Sequence, residues 1–180
     1  ARRERYKKDM KLPDEAIEIL ISDPDELGLK FVAAAKILKY DNKIKIASNY
    51  VTSDYLGIKK SNISARFPSA ENFAELINLV SENKISSRAA KDILAMIVVN
   101  DESPLKIANE KNLLQSNDVE DINRISMRVV EANPKILADI KAGKQNAVMS
   151  LVGQVMKETK GSVNPQLALS SILTIIEEKI

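Results

Sequence analysis

Apolar residues recur along this chain at three- and four-residue intervals, the spacing of one helix face, and strand-like alternation is almost absent. Proline, glycine and capping residues punctuate the pattern. Asp23-Pro24-Asp25-Glu26 offers a capping carboxylate, a proline for the first helical position and acids for the first turn, so it predicts a helix through Phe31, Val32, Ala35 and Leu38. The next helix should begin near Asp41 or Asn42, carry Ile46, Tyr50, Val51 and Leu56, and stop near Gly57, leaving Lys59 to Ser64 as a loop. Pro68 and Ser69 open a segment with Phe73, Leu76, Ile77 and Val80 at helical spacing. Ser86 then caps a helix bearing Ala89, Ala90, Ile93, Leu94 and Ile97, and the short link Asn83-Lys84-Ile85 makes these two helices antiparallel neighbours.

Ser103-Pro104 starts a short helix with Leu105, Ile107 and Ala108. Asn117 with Glu120 has the form of a capping box before Val119, Ile122, Ile125, Val129 and Val130. Asn133-Pro134 restarts the chain through Ile136, Leu137 and Ile140, with Gly143 as the C-terminal stop. Ala147, Val148, Leu151, Val152, Val155 and Met156 follow, ended by Gly161. Asn164-Pro165 opens a last helix with Leu169, Ile172, Leu173 and Ile176 inward. The fold class expected is all-α. The polar stretch Asn109 to Asn117 is the natural junction, which predicts two tandem helical bundle units: a helical domain over 1–112 and a small tail domain over 113–180.

Composition removes several kinds of chemistry. The chain has no Cys, no His and no Trp, so thiolate nucleophiles, thiolate zinc sites and the commonest general base are missing. Its richest apolar run, Ile93 to Val99, is too short to cross a bilayer, and no secretory pattern opens the chain. A cytoplasmic setting without membrane attachment is expected. The opening Ala1-Arg2-Arg3 reads as a piece of a longer protein. Ser86, Ser103 and Asn117 sit where helix caps belong, and no histidine partners any serine. The acid pairs Asp101-Glu102, Glu120-Asp121 and Glu177-Glu178 are adjacent in sequence and do not face each other on a helix. Gly143-Lys144 lacks the glycine and strand of a phosphate loop. The segment itself is expected to be non-catalytic.

A net charge of only +2 means that any nucleic-acid contact must come from local clusters. The N-terminal cluster, Arg2, Arg3, Arg5, Lys7, Lys8 and Lys11 against Glu4 and Asp9, reads as a solvated connector. The second cluster is more specific. Lys141 and Lys144 precede the helix that begins at Ala147, and Lys157 and Lys160 lie at its end. Gln154 lies beside its apolar seam, and Asn164 precedes a helix N-terminus, where free N–H groups favour phosphate. Such a surface suits an RNA backbone. The plainer account is that the lysines complement helix C-termini, Asn164 caps and Gln154 supports packing.

The run Leu151-Val152-Gly153-Gln154-Val155-Met156-Lys157, then Gly161 and Asn164-Pro165-Gln166, resembles the C-terminal signature of the B subunits of the aspartyl/glutamyl-tRNA amidotransferase family. Asn133-Pro134, Lys141-Ala142-Gly143-Lys144, Ile85-Ser86, Ala90-Lys91, Glu110-Lys111 and Leu114-Gln115 extend the likeness. So do Arg5-Tyr6 and Leu20-Ile21-Ser22-Asp23. Small standalone proteins share a related helical domain. The chain departs from the family pattern at Ser150, where a Phe is common, at Lys111-Asn112, where a Gly is common, and at Asn49-Tyr50-Val51, where Asn-Trp-Leu is usual.

The resemblance implies that ATP and magnesium act in a catalytic domain upstream, with no cofactor in this segment. The partners it implies are tRNA and the other amidotransferase subunits. The family converts Glu-tRNA(Gln) and Asp-tRNA(Asn) to their amidated forms with ammonia from glutamine. This segment would then hold tRNA, with Lys144, Lys157 and Lys160 on phosphates and Gln154 and Asn164 making finer contacts. Gly153 would permit close approach of a helix or backbone. The rival expectation is a helical interaction module that docks another subunit and touches no RNA.

Overall fold

The computed structural model describes residues 2–39 and 42–179. They are all-α: no strand occurs among them, and an isolated parallel bridge joins Ser116 to Val163. The chain divides into two compact units, Ala1–Leu113 and Leu114–Ile180.

In the first unit the helices are α1 (Arg2–Lys8), α2 (Asp14–Ser22), α3 (Leu27–Ile37), α4 (Lys43–Asn49), a π-helix (Tyr50–Tyr55), α5 (Leu56–Ser61), α6 (Ala70–Ser81), α7 (Ser87–Asn100) and α8 (Pro104–Glu110). Helix α6 is central and packs against α3, α4, α7 and α8. Its Phe73, Leu76 and Ile77 are fully buried. The local start signals are real where a hydroxyl precedes the helix. Ser69, Ser86 and Ser103 each accept the N–H of the residue three ahead, at 3.1–3.3 Å. Asp101, one of the adjacent acids with no role assigned from sequence, staples α6 to the end of α7. Its carboxylate accepts the Ser69 N–H and hydroxyl and the Asn72 amide at 2.9–3.1 Å.

Two expectations fail here for tertiary reasons. The stretch Asp23 to Glu26 does not start a helix. Asp23 accepts the Asp25 N–H at 2.9 Å in a local turn, and α3 begins only at Leu27. Lys59 holds that turn, reaching Asp25 at 2.5 Å and Asp23 at 3.4 Å. The predicted stop at Gly57 is also absent. The helix runs through Gly57 to Ser61, so Lys59, Lys60 and Ser61 are helical and the loop begins at Asn62. Between Tyr50 and Tyr55 the helix widens to the i→i+5 pattern, which brings both tyrosines into the core where a 3.6-residue period would separate them. Asn42 has no side-chain capping bond to α4. Asp41, the other predicted start, lies outside the described residues.

The α2–α3 corner is tight. Tyr6, 2% exposed, donates its hydroxyl to the Gly28 carbonyl at 3.0 Å. A Cβ on Gly28 would lie 2.6 Å from that hydroxyl and closer still to the Leu20 carbonyl oxygen.

The second unit contains α9 (Val119–Ala132), α10 (Pro134–Lys141), α11 (Ala147–Glu158) and α12 (Pro165–Lys179). Helix α9 packs on α10, α11 and α12, and α11 on α10 and α12. Ile122, Val129, Val130, Leu151, Val155, Ala168 and Ile172 make the core. The cap of α9 is Asp118, not Asn117. Its carboxylate accepts the N–H groups of Glu120 and Asp121 at 3.0 and 3.3 Å. That shifts the helix by one residue, and Val119 points out, 57% exposed.

Four helix ends share one device. At α6, α8, α10 and α11 the last turn closes by a paired 6→1 and 5→2 bond, with the pivot residue left-handed. The pivots are Asn83, Asn112, Gly143 and Lys160. Gly143 is the predicted stop for α10. At α11 the pivot is Lys160 (φ 52°), and Gly161, left-handed as well (φ 78°), supplies the following N–H, to Met156 at 2.8 Å. Asn112 occupies a left-handed pivot that glycine would adopt without strain.

Candidate nucleic-acid interface

The second unit has eight acidic and eight basic residues, so its net charge is zero. What matters is which of them are already paired. Arg124 pairs with Asp121 (2.5 Å), Arg128 with Glu158 (2.6 Å), Lys144 with Asp139 (2.9 Å) and Lys179 with Glu131 (3.1 Å). The cations left without an ionic partner among the described residues are Lys135, Lys141, Lys157 and Lys160, all on α10, α11 or the turn after α11. Pairing leaves the free positive charge of a neutral unit on α10, α11 and the turn after α11.

The predicted residues fall into three groups. Lys157 and Lys160 are exposed and unpaired, and suit phosphate directly. Lys160 is presented by the left-handed pivot of the α11 stop. Lys141 and Lys144 are also exposed but engaged: Lys141 donates to the Lys179 carbonyl at 2.9 Å, and Lys144 holds Asp139. Both contacts are at the surface, where an ion pair contributes about 0–1 kcal/mol, so an arriving phosphate displaces them at little cost.

Gln154 and Asn164 have structural positions. Gln154 and Asn133 exchange two amide hydrogen bonds, 2.7 Å from Asn133 to Gln154 and 3.1 Å in return. Asn133 also donates to the Val129 carbonyl at 2.8 Å, so this pair locks the α9–α10 corner to α11. Asn164 is buried, and its side-chain oxygen accepts the Gln166 N–H at 2.9 Å as the cap of α12. The first free donor at that helix start is thereby occupied, which leaves less for a phosphate than the sequence pattern promised. Gly153 lies on the open side of α11, and a Cβ there would meet nothing within 4 Å. No helix in this unit needs it.

Sequence reasoning passed over Lys135, because a lysine in the first turn after Asn133-Pro134 carries no motif. It also passed over a shallow hollow of about 650 Å³ lined by Gly143, Lys144, Gln145, Asn146, Ala147 and Ser150. The left-handed turn at Gly143 creates that hollow, and its side-chain amides and hydroxyl can donate to an oxyanion. Of the N-terminal cluster, Arg3 pairs with Glu18, Lys7 with Asp14 and Lys8 with Glu4. No group of three or more acidic side chains among the described residues is placed to hold a metal ion. No helix among them is long and apolar enough to cross a membrane.

This arrangement is a small all-α unit whose free cations lie on α10, α11 and the turn after it, with an amide pair holding the α9–α10 corner to α11. The chain belongs to the GatB domain family, whose sequence profile matches residues 33–176. It is similar to the B subunit of the aspartyl/glutamyl-tRNA(Asn/Gln) amidotransferase from Brachyspira hyodysenteriae, 37% identical over 98% of this chain and 37% of that protein. The protein of the same name from Clostridium beijerinckii is 34% identical over 93% of this chain and 35% of its own length. That from Thermotoga maritima is 33% identical over 97% and 36%. The chain thus spans little more than a third of the curated relatives it matches.

Proposed function

We propose that this chain is the tRNA-holding part of an amidotransferase B subunit, and that the α10–α11 side contacts the tRNA backbone. In this reading the chemistry, with its ATP and magnesium, belongs to the part of the protein that the relatives have and this chain does not span. Glutamine-derived ammonia and the remaining subunits act there. The segment contributes affinity and orientation for Glu-tRNA(Gln) or Asp-tRNA(Asn). The observation that carries the reading is the ion-pair pattern: in a neutral unit, the four cations without an ionic partner among the described residues all belong to α10, α11 and the turn after it.

Phosphate contacts release counterions, so binding should weaken steeply with salt. The test is tRNA binding by the protein at low and moderate salt. Lys157→Glu and Lys160→Glu should each lower affinity and make the salt dependence shallower by about one phosphate's worth. Lys144→Glu should lower affinity too, because it removes a cation whose surface pair a phosphate displaces at little cost and leaves Asp139 unpaired. Binding that is absent at low salt, or unchanged in the Lys157 and Lys160 variants, overturns the assignment.

A further inference from the structure

Gly153 is idle in folding. A Cβ there meets nothing within 4 Å, although a glycine inside a helix weakens it relative to alanine. What flanks this glycine points outward. Positions three, four and seven apart stack along one side of a helix. The side of α11 that bears Gly153, continued into the following turn, therefore carries Asn146, Met149, Ser150, Met156, Lys157 and Lys160. All of these but Met156 are exposed, Met149 by 58%. Among the described residues this strip holds no acid. Glu158, the one acid of α11, follows Gly153 by five residues, so it faces another side, and Arg128 holds it at 2.6 Å. Lys157 and Lys160, without ionic partners among the described residues, stand at one end of the strip. The hollow lined by Gly143, Lys144, Asn146 and Ser150 stands at the other. Between them, at Gly153, the helix backbone lies bare.

A gap in a layer of side chains serves something that comes closer than a side chain allows. The charges of the strip select a polyanion: cations stand at both ends, and Asp139, the acid nearest the hollow in sequence, is held by Lys144. Between its phosphates a nucleic-acid strand presents ribose, whose C–H edges suit an apolar contact, and flexible methionine thioethers such as those of Met149 and Met156 conform to such a surface. We propose that the sugar–phosphate backbone of the bound RNA crosses α11 at Gly153. Ribose lies against the bare helix backbone there, with phosphates at Lys157 and Lys160 on one side and at the Gly143–Ser150 hollow on the other. The missing side chain of Gly153 sets how closely the strand approaches. This inference rests on the tRNA reading and adds a steric contact to an ionic one.

The test separates the two contacts. Gly153→Ala and Gly153→Leu keep every charge, and both residues favour a helix more than glycine does, so neither should lower the thermal transition of the protein. Binding of a tRNA(Gln) transcript is measured for each across one salt series, beside Lys157→Glu. Gly153→Ala should weaken binding about fivefold and Gly153→Leu more, the cost of forcing methyl groups into a close contact. The fall of affinity with salt should stay as steep as in the wild type, because long lysine side chains follow a strand lifted by a methyl group and the phosphates remain paired. Lys157→Glu should instead flatten that fall. Wild-type affinity in both Gly153 variants overturns the inference, and leaves the tRNA reading standing if Lys157→Glu still weakens binding. A weakened Gly153→Ala protein with a flattened salt dependence or a lowered thermal transition overturns it as well. Wild-type tRNA affinity together with lost assembly of the other amidotransferase subunits gives the gap to a protein and overturns it. A wild-type protein that binds no tRNA overturns both readings.

Discussion

Replacing glycine by alanine should have opposite effects at two helical positions of this protein. At Gly28 the new methyl group would lie 2.6 Å from the Tyr6 hydroxyl and nearer still to the Leu20 carbonyl oxygen. One neighbour is backbone, so relief requires α2 and α3 to move apart. Overpacking of this kind costs about 1–3 kcal/mol. Displacing Tyr6 also breaks its bond to the Gly28 carbonyl and leaves a buried hydroxyl unsatisfied, about 1–3 kcal/mol more. Alanine's better helix propensity returns about 0.5–1 kcal/mol. The net is a loss of about 2–4 kcal/mol, or roughly 10–20 °C in Tm for a unit of this size. At Gly153 nothing lies within 4 Å of the added Cβ, so only the propensity gain remains, about 1 kcal/mol of stabilisation. The assay separates the two units. The chain has four tyrosines, at positions 6, 40, 50 and 55, and no tryptophan, so tyrosine fluorescence reports only Ala1–Leu113. Gly28→Ala should lower the fluorescence-detected urea midpoint. Gly153→Ala should leave that midpoint in place and raise the remaining far-UV circular dichroism transition. A Gly28→Ala protein within about 0.5 kcal/mol of wild type, the scatter of an ordinary surface substitution, would refute the close-packed corner.

Further outcomes follow from the site and the turns. Gln154→Ala removes one half of the Asn133 amide pair and should destabilise the second unit by about 1–2 kcal/mol in denaturant titration; an unchanged midpoint would return Gln154 to a surface role. Lys160→Gly relieves a left-handed lysine and should stabilise that unit by about 1 kcal/mol while weakening tRNA binding, splitting the backbone role from the charge role. In the first unit, the hydrogen bond from Lys59 holds the Asp25 carboxyl below its ordinary value, and Lys84 and Lys43 do the same for Glu82. A lowered folded value contributes stability that is present above the unfolded pKa and lost as pH falls through the folded one. The tyrosine-detected midpoint should therefore fall from neutral pH into and below the carboxylate range, and the gap between wild type and Lys59→Gln should close there.

Much of the helical order is local and so legible in the residues. Ser69, Ser86 and Ser103 cap as expected, Asn133-Pro134 and Asn164-Pro165 begin helices, and Gly143 ends one, because these signals act within three or four residues of chain. The candidate cations were legible as well, since Lys157 and Lys160 stand out by position alone. Other features depend on partners distant in sequence. Asp23 and Asp25 had the form of a helix start until Lys59, more than thirty residues on, took both carboxylates. The π-turn that buries Tyr55 has no periodic signature, because a 3.6-residue template places it off the core. Gly28 and Gly153 are the same letter in the same kind of helix, and only packing separates an obligatory glycine from an idle one. Gln154 beside an apolar seam and Asn164 before a helix N-terminus read as contacts by position, and folding commits their amides to Asn133 and to the Gln166 N–H. Apolar periodicity determined that this chain would be helical, and composition that it would be nearly neutral; which charges cancel and which remain was decided by tertiary structure, because pairing depends on distance in space.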